Sequence, residues 1–264
     1  MGDRAHRDPV ERAHMTVHFI GAGPGAADLI TVRGQETLSS CGVCLYPGSL
    51  TPTELLKHCP DDARLIDTAD LTLDQILDEL VRAHGEGLDV ARLCSGDPAV
   101  YSAVAEQMRR LDAAGVPYDV TPGVPAFSAA AAVLGRELTV PTVGQSVVLT
   151  RAQARSTSMP EGEDLATLGA SRTTLVLHLA VNRIEQCVDE LLPNYGADCP
   201  AAVVAHATQP GEIVLHGTLG DIAGQLRDAG IKKSAVVIVG DVLAAENYPD
   251  SFLYSKGRDR TTRP

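Results

Sequence analysis

Three short apolar runs in the first half of this chain each end in a loop of glycine and proline. Val17 to Ile20 runs into Gly-Ala-Gly-Pro-Gly25, Val90 to Cys94 into Ser-Gly-Asp-Pro98, and Tyr118 to Thr121 into Pro-Gly-Val-Pro125. Helix-period segments lie between them, and strand followed by helix, repeated, implies a parallel α/β sheet. In open sheets of that kind ligands bind beyond the carboxyl ends of the strands. One such loop is most often only a turn. Three in order on one sheet edge make a backbone-lined cleft.

The helical segments are read from their spacing. Leu73, Ile76, Leu77, Leu80 and Val81 recur at helical intervals, and Val100, Val104, Met108 and Leu111 form a second stripe that Gly115 should end. Ala126–Leu134 reads as a closely packed, alanine-rich helix. Residues 136–146, with Pro141 and Gly144, break the rhythm and are expected to link two domains. Beyond them come strand-like Val147–Thr150, Thr174–Leu179, Ala201–Ala205, Ile213–His216 and Ala235–Val239, with helices near Ile184–Leu192 and Leu219–Ala229. The adjacent pair 201–205 and 213–216 suggests an antiparallel element. The fold expected is therefore two α/β domains, at 15–135 and 147–254, with a mainly parallel sheet in the first and a mixed sheet in the second. Residues 1–14 and 255–264 are polar and read as unstructured extensions.

The opening loop satisfies the glycine spacing of a dinucleotide-binding turn. Two features disagree with that use. Pro24 removes an amide where a pyrophosphate should sit, and the helix should start later, near Asp28. The second strand, Val43–Tyr46, ends in Pro47-Gly48-Ser49, with no acid to take ribose hydroxyls. A tight turn without a ligand, a dinucleotide site and a site for another small molecule all remain open on this motif.

A formal charge of −12, aromatics at 3% and the absence of Trp argue against a nucleic-acid surface. An anionic ligand would need a local cluster of arginine or lysine. No apolar run approaches the roughly 18 to 20 residues that cross a bilayer, and the polar N-terminus has no signal-peptide core. A cytoplasmic location without membrane contact is expected. Six cysteines suit free, buried thiols in a reducing compartment. Cys41 and Cys44 have no second ligand pair spaced to complete a zinc site, so no metal is expected.

Taken together, GAGPG, the SGDP loop, Thr121-Pro-Gly-Val-Pro-Ala-Phe127, His206-Ala-Thr-Gln-Pro210, Gly217-Thr-Leu219 and Ser234–Val242 resemble the tetrapyrrole methylase family. The likeness spans about residues 15 to 250, and Leu45-Tyr-Pro-Gly-Ser-Leu50 is most similar to the branch acting at C(11) of precorrin-4. The resemblance implies a homodimer that binds S-adenosylmethionine in a cleft between its two domains. It implies donor contacts from Pro24, Ser95, Gly96, Asp97, Val100, Pro125 and Ala126, and from Leu179 and Ala207, where relatives often carry Met and Gly. A precorrin carries several carboxylates, and Arg151, Arg155 and Arg183 are the candidates to meet them. Methyl transfer from a sulfonium needs alignment more than a catalytic triad, and His178 and His206 read as core or rim histidines. A methylase for another ring position, one for the cobalt-loaded substrate, an NAD- or flavin-dependent oxidoreductase and a tetrapyrrole carrier are the competing readings.

Overall fold

The central strand of the first sheet, Val90–Cys94, is buried along its whole length, and the sheet is built outward from it. The computed structural model describes residues 16–152 and 158–252. In chain order the first unit holds β1 (Val17–Gly21), α1 (Val32–Leu38), β2 (Val43–Tyr46), α2 (Thr53–Leu56), β3 (Arg64–Asp67), α3 (Leu73–Gly85), β4 (Val90–Cys94), α4 (Val104–Ala114) and β5 (Tyr118–Thr121). The five strands are all parallel, in the order β3-β2-β4-β1-β5. Adjacent β1 and β4 send their chains to opposite sides of the sheet, which makes their carboxyl ends a topological switch point.

Alternation along β4 and β1 sends side chains to both faces. Val17, Phe19, Val90 and Cys94 pack on one face with Leu77, Leu80 and Leu111 of the helices, while Ile20, Ala91 and Leu93 pack on the other with Leu38 and Leu55. Leu80 and Leu111 are both fully buried, and each such side chain contributes about 2 kcal/mol. Helix α3 opens on a capping box in which Thr72 accepts from the Gln75 amide and Gln75 reaches back to the Thr72 amide. Its buried stripe is Ile76, Leu77, Leu80 and Ala83; Val81 falls outside it, 40% exposed. Helix α4 begins at Val104 and ends on Gly115 at φ 69°, so Val100 belongs to a preceding loop rather than to the helical stripe.

By contacts the chain divides between Ala126 and Phe127, so α5 (Ala126–Leu134) goes with the second unit. The segment proposed as a linker, 136–146, follows that helix and holds an isolated bridge between Val140 and Gly144. The second unit continues with β6 (Val147–Arg151), α6 (Leu165–Gly169), β7 (Thr174–His178), α7 (Ile184–Tyr195), β8 (Pro200–Ala205), β9 (Ile213–Thr218), α8 (Ile222–Asp228) and β10 (Ala235–Val239). Its sheet runs β6-β7-β10-β8-β9, with β6 and β7 parallel and the other pairs antiparallel. The expected hairpin-like pair is β8 and β9. The extensions at 1–14 and 255–264 lie outside the described residues. No helix among the described residues is long and apolar enough to cross a membrane.

All six cysteines are free thiols, and five are buried. Burial pushes Cys41 and Cys187 up to about 12, and Cys94 and Cys199 up to about 11. Cys59 departs from the expectation of burial: it is only half-buried, packed against the cluster that holds Cys41 and Cys44. The neighbouring Cys44 thiol interacts with it, which raises Cys44 and lowers Cys59. A thiol reagent at neutral pH should therefore modify Cys59 first in the native protein, and the others only after denaturation. Peptide mapping that found Cys41 or Cys44 labelled as fast as Cys59 would contradict this ordering.

Candidate functional site

Three glycines, one from each Gly/Pro loop, meet backbone to backbone at the carboxyl edge of the first sheet. A Cβ built on Gly21 would fall 2.5 Å from the Cα and N of Gly123 and 2.9 Å from the Gly96 carbonyl oxygen. No flexible side chain lies there to move aside, so only glycine fits at this crossing. The Ala22 amide donates to the Cys94 carbonyl at 2.8 Å. Gly23 and Gly96 exchange a pair of bonds, at 3.2 Å from the Gly23 amide and 2.8 Å from the Gly96 amide. The leading amides of GAGPG are thus engaged by protein, and Pro24, itself buried, has none to give. A single 3-10 turn at Ala27–Leu29 follows, and α1 starts only at Val32 behind its Thr31 cap. The loop therefore lacks the helix N-terminus that holds a pyrophosphate.

The other donor candidates of the first unit gather around the same crossing. Pro125 and Ala126 lie beside Gly96, whose φ of 69° favours glycine. The Asp97 carboxylate ties two loops together: Oδ1 accepts from the Ala99 amide at 2.7 Å and Oδ2 from the Gly123 amide at 2.8 Å. Ser95 and Val100 are half-buried. Ser102 Oγ donates to the carbonyls of Asp97 and Val100, at 2.9 and 3.2 Å, which folds 97–102 back on itself. The loop carries two strained residues, Tyr101 at φ 53° and Ala103 at φ 51°. Tyr101 is 47% exposed, and the helical spacing of Val100 and Val104 around it masks the loop in the sequence. The segment Leu45–Leu50 leaves β2 at this same edge, with Gly48 at φ 51° against the Asp67 carboxylate and Leu50 47% exposed.

In the second unit β7 and β8 both run antiparallel to β10, so their carboxyl ends share one sheet edge. Arg151 pairs in register with His178, and Leu179 follows β7 while Ala207 follows β8, so all three residues reach that edge. Four left-handed, non-glycine residues cluster there: Leu179 (φ 54°), His206 (φ 51°), Thr208 (φ 65°) and Ser234 (φ 56°). Strain of this kind concentrates at functional sites. Leu179 is 70% exposed, which removes core packing as the reason for its presence, whereas Ala207 is buried. Arg151 donates to the carbonyls of Ala152 and Ser158, and Arg183 to Gln186. Arg155 lies outside the described residues. Burial holds His178 below the ordinary imidazole value and therefore neutral at pH 7. Elsewhere in this unit a cavity of about 500 Å³ lies between α5 and β6, with Arg136 on its wall. None of the donor candidates lines it.

The chain joins two α/β units, and the glycine loops of the first build a backbone-lined sheet edge without phosphate-binding geometry. The family model for Tetrapyrrole (Corrin/Porphyrin) Methylases matches residues 16–223, and the chain belongs to that family. It is 64% identical over 248 residues to a precorrin-4 C(11)-methyltransferase of Rhodococcus erythropolis, covering 94% of this chain and all of that one. The solved structure of a cobalamin biosynthetic enzyme, cobalt precorrin-4 methyltransferase, superposes with a TM-score of 0.84 at 37% identity, over 87% of this chain and 96% of that one. A uroporphyrin-III C-methyl transferase from Thermus thermophilus, solved in complex with S-adenyl homocysteine, gives 0.73 at 27% identity, over 86% and 93%.

Proposed function

We propose that the chain transfers a methyl group from S-adenosylmethionine to C(11) of precorrin-4 in corrin-ring biosynthesis, as a cytoplasmic homodimer. The observation that carries the substrate is the 64% identity to the Rhodococcus enzyme named for that reaction. Identity to the solved enzyme named for the cobalt-loaded substrate is lower, at 37%, which favours precorrin-4 without the metal. The donor, when bound, supplies an activated methyl on sulfur, and an electron-rich ring carbon is the nucleophile. The protein's part is to align the two and exclude water.

In this reading Pro24, Ser95, Gly96, Asp97, Val100, Pro125 and Ala126 hold the donor from the first unit, with Leu179 and Ala207 contributing from the second. A backbone-lined edge without free leading amides suits a donor that carries no phosphate. Arg151, Arg155 and Arg183 meet the substrate's carboxylates, which an overall acidic chain needs local cations to hold. Calorimetry should show binding of S-adenosylhomocysteine and no heat with NADH or FAD. Tight binding of either nucleotide would overturn the methylase reading. With labelled donor, precorrin-4 should gain one methyl at C(11), and a product methylated at another carbon would remove the branch assignment. Light scattering should give a mass near twice 27.7 kDa.

A further inference from the structure

One buried charge takes no part in the reaction as described. Arg92, in the middle of β4, is 7% exposed on the face that packs against α3 and α4. Its Nε donates to Gln107 Oε1 at 3.2 Å, and its Nη1 to the Leu93 carbonyl at 3.0 Å, both neutral partners. Burying a guanidinium against neutral acceptors is costly, and a pair of apolar side chains would fill the space as well. Burial accordingly lowers its pKa. Gln107, 3% exposed, extends the chain of bonds: its Nε2 donates to the Ala103 carbonyl at 2.9 Å.

Ala103 is the strained residue that closes the 97–103 loop, at φ 51°, and it caps α4 with no side-chain hydrogen bond of its own. An alanine keeps a left-handed conformation only where its surroundings fix it. The Gln107 bond is such a fixture, and Arg92 fixes Gln107 in turn by occupying its oxygen and so orienting its amide nitrogen toward Ala103. From the other end Asp97 is held by the amides of Ala99 and Gly123. The loop between, with Val100 and the exposed Tyr101, is clamped at both ends.

We infer that Arg92 and Gln107 are positioning residues for the methyl donor, setting the conformation of the 97–103 loop through the Ala103 carbonyl. The inference rests on the reading of that loop as part of the donor site. Gln107→Glu separates the two bonds. A carboxylate still accepts from Arg92, and pairs its charge, but cannot donate to Ala103. In calorimetry with S-adenosylhomocysteine, Gln107→Glu should weaken binding at least tenfold while its thermal midpoint stays at or above that of the wild type. Adding Ala103→Gly, which adopts the left-handed conformation without strain, should restore part of the lost affinity. A purely structural role for the pair predicts the opposite, unchanged affinity in Gln107→Glu, and that result would overturn the inference. Should Gln107→Glu fail to fold, Gln107→Met fills the same space without either bond and is titrated in its place, with the same two outcomes. A wild-type chain that gives no heat overturns the donor-site reading itself, and this inference with it.

Discussion

Gly123→Ala should be the most damaging single methyl that can be added to the first unit. Its Cβ would collide with the Gly96 carbonyl and stand 2.7 Å from the Gly21 Cα. All of these are backbone atoms at the ends of three different strands, so relief requires a loop to withdraw. Overpacking of a rigid site costs about 1–3 kcal/mol, and the upper end is expected where nothing flexible can yield. Withdrawal of the 122–125 turn would also break the bond from the Gly123 amide to Asp97. Urea denaturation should show a midpoint well below that of the wild type, and the folded fraction should bind S-adenosylhomocysteine poorly. A variant with native stability would mean that the three loops do not meet as described.

Asp97→Ala should leave the sheet intact and weaken S-adenosylhomocysteine binding by about 1.5–3 kcal/mol, the scale of hydrogen bonds to a charged group. The route differs from the one the resemblance implies. The carboxylate holds the amides of Ala99 and Gly123, so its loss frees both the start of the 97–103 loop and the neighbouring turn. Asp97→Asn keeps one acceptor oxygen and should fall between the wild type and Asp97→Ala. Calorimetry with S-adenosylhomocysteine reads the series directly. Equal affinity in all three proteins would remove Asp97 from the site in either role.

The parts of the fold that follow hydrophobic period were legible in the sequence. Val43–Tyr46, Val90–Cys94, Tyr118–Thr121, Ala126–Leu134 and Ala235–Val239 stand at the expected bounds. Strand β3 was not foreseen, because Arg64-Leu-Ile-Asp67 is a four-residue edge strand whose ends are charged. The start of α4 was misplaced by one turn, because Val100 keeps helical spacing with Val104 while lying in a strained loop. The glycine and proline loops could be read as a set, since each follows an apolar run. That Gly21, Gly96 and Gly123 touch one another could not be, because spacing along the chain carries no information on strand order. The Arg92–Gln107 bond was equally invisible. A lone arginine in an apolar run gives no sign of the residue it will meet from the next helix.

The triple glycine crossing also bears on how the protein could be re-engineered. In the proposed reading the donor lies against this crossing, where Gly21 and Gly123 admit no Cβ because each would strike the backbone of a neighbouring loop. Admitting a bulkier alkyl sulfonium is therefore not a matter of carving this floor. Variation has to enter through segments that do present side chains at the same edge, such as 46–51 after β2 and 97–103 after β4, where Leu50 and Tyr101 are each 47% exposed. Directed libraries for altered donors or acceptors belong in those two segments, with the glycines held constant.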